Sequence, residues 1–146
     1  MPYQIDRHPE INALVSHITS YNGSEEEMNE FMSRVVQIAD EYAAQGATHL
    51  YHVLVVAPRS YDFAIGMRNI RTIQQNKALI DMRKRMNVMT ILVGSMPKAF
   101  QILMTLLSSP TFGGRKMAVF ATLEPALDFV RLDHETHSSP KSEAAD

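Results

Sequence analysis

The chain has 146 residues, of which 45% are hydrophobic and 21% charged, with a net charge of −2 and no cysteine. That length suits one domain with its own core. The lack of cysteine excludes disulfides, thiolate chemistry and cysteine-ligated zinc, and the lack of a basic excess argues against a dedicated nucleic-acid binder. No apolar run approaches the ~20 residues of a membrane helix. The opening residues, Met1-Pro2-Tyr3-Gln4-Ile5-Asp6, have neither the basic nor the apolar region of a secretory leader. A cytoplasmic protein without membrane insertion is the expectation.

In chain order, Tyr3 to Arg7 reads as a short strand, His8-Pro9-Glu10 as a turn and Ile11 to Thr19 as a second strand, which together make a hairpin. Asn22-Gly23 ends it. Ser24 and Glu27 have the spacing of a capping box, and Glu25, Glu26 and Glu27 suit the positive end of a helix dipole. Met28, Phe31, Met32, Val35, Ile38, Ala39 and Tyr42 then recur every three or four residues, which predicts a long amphipathic helix. Gly46 stands where its C-terminus needs a left-handed residue.

His49 to Ala57 is almost continuously apolar, as a strand covered on both faces would be. Pro58 to Asp62 reads as a loop, and a second long helix is expected from about Ile65 to Met86, its apolar stripe interrupted by Gln74-Gln75-Asn76-Lys77. Val88 to Val93 is another buried strand, closed by Gly94. A helix led by Pro97 carries Ala99, Phe100, Leu103, Leu106 and Leu107, and Met117 to Phe120 is a short buried strand. Thr122 caps a last helix with Leu123, Ala126, Leu127 and Val130 facing inward. From Asp133 to the end the chain is polar and aperiodic and reads as a disordered tail, so the expected organisation is one domain over residues 1–132 and a tail over 133–146. Strands alternating with helices imply crossover connections. The expected fold is α/β: a mixed, largely parallel sheet of about five strands with an N-terminal hairpin, flanked by about four helices.

An opening hairpin followed by strand–helix units resembles the STAS/SpoIIAA-like superfamily. The closing segment, Lys116-Met117-Ala118-Val119-Phe120-Ala121-Thr122-Leu123-Glu124-Pro125-Ala126-Leu127, is similar to the family's last strand and the "F-x-T-x-E-x-A-L" start of its last helix. The resemblance spans about residues 3–131. It implies a non-catalytic, bacterial regulatory module that works through protein–protein contacts, with a protein partner or a second copy of itself. Some proteins of similar fold bind lipids or nucleotides, so a small-ligand carrier is the alternative. Switch members carry a phosphorylated Ser or Thr before a glycine at the start of the second helix. Here the corresponding stretch reads Tyr61-Asp62-Phe63-Ala64-Ile65-Gly66, with Ala64 and Ile65 in place of that hydroxyl. Regulation by phosphorylation at the usual position is therefore not expected.

Candidate binding residues follow from the fold. In open α/β sheets ligands sit beyond the carboxyl ends of strands. Arg59, Ser60, Tyr61 and Asp62 follow one buried strand and Ser95 follows the next. Arg59 could clamp an anion, Tyr61 could stack, and Ser95 could present amides near a helix start. The second long helix is basic, with Arg68, Arg71, Lys77, Arg83, Lys84 and Arg85 against Asp81, which reads as a solvated face or as a docking face for an acidic partner or phosphate groups. No cofactor, metal site or catalytic set is indicated: P-loop, dinucleotide, zincin and nucleophile-elbow motifs are all missing. His49 and His52 point to opposite faces of their strand, and His134 and His137, though at a helical spacing, fall in the expected tail.

Overall fold

The computed structural model describes residues 3–18, 25–56, 68, 71–72, 75–94 and 117–138. Strands β1 (Tyr3–His8) and β2 (Ala13–Ile18) form an antiparallel hairpin joined by a 3-10 turn, Pro9–Ile11. Helix α1 (Glu25–Ala44) leads to β3 (His49–Val56), helix α2 (Lys77–Arg85) to β4 (Asn87–Val93), and β5 (Met117–Phe120) to helix α3 (Leu123–Ser138). The five strands stand side by side in chain order, and β2 to β5 run parallel. The fold is α/β, as the sequence predicts, with an antiparallel hairpin at one side of an otherwise parallel sheet.

Sequential order fixes where the helices go. Crossovers of one hand between successive parallel strands deliver their helices to one face of the sheet, and α1 and α2 do pack side by side there. The predicted stripe of α1 is the buried one: Met28, Phe31, Met32, Val35, Ile38, Ala39 and Tyr42 lie against Leu14, Ile18 and Leu50 of the sheet and Leu79, Met82 and Met86 from α2 and its end. Each large apolar side chain so buried contributes roughly 1.5–3 kcal/mol. Gly46, at φ +98°, closes α1, and Ala47 donates its amide back to the Tyr42 carbonyl. The opposite face carries a second core of Ala13, Val15, Tyr51, Val53, Ile91 and Val93 under Ala126 and Val130 of α3.

Three local expectations are corrected. Ile11 belongs to the 3-10 turn, and Asn12, in a left-handed conformation at φ 52°, redirects the chain so that β2 starts only at Ala13. The helix expected without a break from Ile65 to Met86 is interrupted at Asn76. That residue has extended backbone, and its side-chain oxygen accepts from the Leu79 amide at 2.9 Å, which makes it the N-cap of α2. Asparagine competes for backbone donors in this way and so favours a cap over a helix interior. Finally, the polar stretch from Asp133, expected to be a tail, continues α3 to Ser138. The predicted Ser24 cap and the helix led by Pro97 lie outside the described residues. Among the described residues, no helix is long and apolar enough to cross a membrane.

Candidate functional site

Of the predicted binding residues, Arg59, Ser60, Tyr61, Asp62 and Ser95 lie outside the described residues, whereas Arg68 and Arg71 are both helical and exposed on the connection between β3 and β4. On α2 itself, Leu79 and Met82 turn inward, while Lys77, Asp81, Lys84 and Arg85 are exposed on the other side. Arg85 is tied to Asp40 of α1 at 3.1 Å. Arg83 departs from the predicted solvated face: its Nη1 is buried. Among the described residues of this connection, Arg68, Arg71, Lys77, Lys84 and Arg85 are exposed basic residues and Asp81 is an exposed acidic one.

Two polar clusters that sequence reading did not assemble flank β3, one on each face. On the α1/α2 side, Ser16 of β2 and His52 of β3 meet at 2.9 Å between Oγ and Nε2. The parallel register pairs Leu14 with His52 and Ser16 with Leu54, so Ser16 and His52 are diagonal neighbours on one face. Phe31 of α1 covers the imidazole, its ring centroid 6.0 Å away. Burial, reinforced by the positive charge of Arg83, lowers the His52 pKa to about 3, so the ring is neutral at physiological pH. A hydroxyl beside an imidazole is the beginning of a nucleophile–base pair. Here, however, Ser16 is fully buried, and an imidazole that resists protonation this strongly is a poor acceptor for a serine proton. The pair satisfies two polar groups inside a core.

On the α3 side, His49 and Tyr51 of β3 meet Asp133 and His134 of α3. Tyr51 donates its hydroxyl hydrogen to Asp133 Oδ2 at 2.5 Å, and His49 Nε2 lies 3.4 Å from His134 Nδ1. His49 also stands edge-on to Tyr51, ring centroids 5.5 Å apart. Burial first, then the bond to Asp133 and the charge of that carboxylate, push the Tyr51 pKa far above 10. All four side chains are half-buried or buried, at the end of the sheet where the parallel strands begin. This is the end opposite the predicted ligand loops. The backbone is tightly held there too: the Tyr51 amide donates to the Asn12 carbonyl at 2.9 Å.

The sequence held a signal for both clusters. His49, Tyr51 and His52 are polar groups in a strand otherwise apolar enough to be covered on both faces, as is Ser16 in Ala-Leu-Val-Ser-His-Ile. A buried polar group requires a partner, and the parallel register names Ser16 for His52. Nothing local identifies Asp133 and His134 as partners. Other surface features are plainer. A shallow depression of about 600 Å³ is lined by Ser33, Val36, Gln37, Asp40, Glu41 and Ala44, all from the outer side of α1, and brings together no chemistry from elsewhere in the fold.

Comparisons with protein-family models, with curated proteins and with solved structures gave no match in any of the three.

Proposed function

We propose that the protein is a non-catalytic, cytoplasmic regulatory module of the STAS type that acts through protein–protein contacts, without phosphorylation at the usual switch position. The observation that carries the reading is the exposed basic character of the described residues between β3 and β4, where Arg68, Arg71, Lys77 and Lys84 outnumber Asp81 in a chain of net charge −2. A local excess of one sign against the overall balance favours a partner of the opposite sign. The partner is an acidic segment, from another protein or from a second copy of this chain, whose own α1 begins Glu25-Glu26-Glu27. The α/β order with its N-terminal hairpin supports the family reading. Ser16, whose hydroxyl lies at bonding distance from the His52 imidazole, is fully buried, which supports a non-catalytic reading.

The test begins with native mass spectrometry and in-cell cross-linking, which identify the partner or the dimer. Its affinity is then measured for the wild type and for Arg68→Glu/Arg71→Glu at increasing salt. The reading requires at least a tenfold loss in the double variant and a steep decline with salt, since exposed charges are screened within about 10 Å at 0.1 M. Stability stays within about 0.5 kcal/mol, as is usual for surface substitutions. A bare monomer with no partner at cellular concentration defeats the proposal. Excess native mass that disappears on denaturation defeats it in favour of a small-ligand carrier.

A further inference from the structure

We propose that β1 is a dimerisation edge: the β1 strands of two copies of this chain pair antiparallel about a two-fold axis at Ile5 and join two five-stranded sheets into one. The inference stands apart from the basic residues of the β3–β4 connection and does not depend on them.

Sheet order places β1 and β5 at the two margins of the sheet. An edge strand presents a row of unpaired backbone donors and acceptors that a second strand can take up. Among the described residues no strand lies beyond β1. It is six residues long, has no proline and pairs with β2 in unbroken register, whereas β5 has only four residues. Charged side chains commonly guard such an edge. Here they are drawn back into their own chain: Arg7 pairs with Glu41 of α1, and Asp6 meets His17 at 3.2 Å and Gln4 at 3.0 Å.

Few registers of self-pairing are open. A two-fold axis normal to the sheet keeps each face continuous, so facing residues share parity. An axis at Asp6 or Arg7 sets that charge against its own copy, and like charges directly opposite are destabilising. An axis at Gln4 sets Pro2, which has no N–H to give, against Asp6. With the axis at Ile5 the ladder runs from Tyr3 to Arg7 and each pair is compatible. Ile5 faces Ile5, the Tyr3 ring faces the Arg7 guanidinium, and the Gln4 amide faces the Asp6 carboxylate.

The helix above the edge fits the same axis. Tyr3 packs on Phe31 and donates to Glu30 at 3.4 Å, Arg34 also reaches the Tyr3 hydroxyl, and Arg7 meets Glu41. Glu30, Arg34 and Glu41 therefore line the β1 side of α1. Rotation about Ile5 brings the Tyr3 end of one copy opposite the Arg7 end of the other. Arg34 of each copy is thereby set toward Glu41 of the second, and Arg7 toward Glu30. Such complementarity of sign favours a second copy over an unrelated strand as the occupant.

The chain has no cysteine, so Ile5→Cys supplies a single thiol. Residues facing across an antiparallel ladder have Cα atoms about 4.5–5.5 Å apart, within the reach of a disulfide. Mild oxidation is expected to link Ile5→Cys into a dimer, and to leave Val119→Cys, at the exposed valine of β5, unlinked. Sedimentation velocity then reads the dimer without a cross-link. Gln4→Lys, which faces Asp6 twice per dimer, tightens it about threefold to tenfold, and Gln4→Glu weakens it by a similar factor. Gln4 is exposed, so both variants keep the fold. Arg68→Glu/Arg71→Glu leaves this affinity unchanged, which separates the edge from the basic residues. A chain that stays monomeric at submillimolar concentration overturns the proposal. So do Gln4 variants without opposite effects, linkage through Val119→Cys in preference to Ile5→Cys, or loss of the dimer in the Arg68/Arg71 variant.

Discussion

The two faces of β3 put similar groups to opposite ends. On one face a histidine and a serine are enclosed under α1 and α2, with an aromatic ring over them and a cation beside them. On the other, a buried tyrosine meets two half-buried histidines and a half-buried aspartate where α3 meets the start of the strand. Desolvation acts on both, holding His52 neutral and keeping the proton on Tyr51. The neighbouring charge differs: the cation of Arg83 stands beside His52, and the carboxylate of Asp133 accepts from Tyr51.

The largest expected effect comes from the deeper face. Leu14, fully buried beneath α1 beside His52 in the register, is predicted to cost about 2–5 kcal/mol when replaced by alanine, read by chemical denaturation. A cost below about 1 kcal/mol would mean that this face is looser than its burial implies. Next comes acid sensitivity. His52 titrates at about 3 when folded against 6.5 when unfolded, so between those values the unfolded chain binds more protons. Its contribution is therefore intact above pH 6.5 and erodes as pH falls toward 3, by about 1.4 kcal/mol per pH unit. His52→Gln, whose amide can still bond Ser16, should flatten the stability–pH curve in that window, and an unchanged curve would dismiss His52 as the source. The shallower face responds less. Tyr51→Phe removes the bond to Asp133 and should cost about 1 kcal/mol. In the wild type, ultraviolet titration should show tyrosine ionisation continuing well above pH 10, and Tyr51→Phe should remove part of that late titration.

Much of the fold could be read from the chain because burial is written as periodicity. The α1 stripe, the apolar runs of β3 and β4 and the helix start at Leu123 all carry their own signal. The end of α3 did not. Continuing the inward positions Ala126 and Val130 by three or four residues reaches Asp133 and His134, which read as polar tail. They remain helical because the sheet surface they meet is itself polar, offering the Tyr51 hydroxyl and the His49 ring. A hydrophobic pattern cannot register a helix whose contacts turn from apolar to hydrogen-bonded part-way along. The break at Asn76 was hidden differently. The polar run around it showed that the stripe faltered, but only the cap to Leu79 and the contact with Asn29 at 3.1 Å show that the helix restarts. For the site, Arg68 and Arg71 could be picked out individually from charge, whereas the two histidine clusters needed the strand register and a contact spanning 85 residues.

The strand order, β1 through β5 in strict succession, also bears on how the chain acquires its structure. Each strand pairs with one already laid down, so the sheet can lengthen during synthesis with little searching across the chain. α3 breaks that rule, since its anchors are β3, β4, β5 and the 3-10 turn near the N-terminus. Until α3 leaves the ribosome, Val15, Val53 and Ile91 lack the cover that Ala126 and Val130 give them in the folded protein.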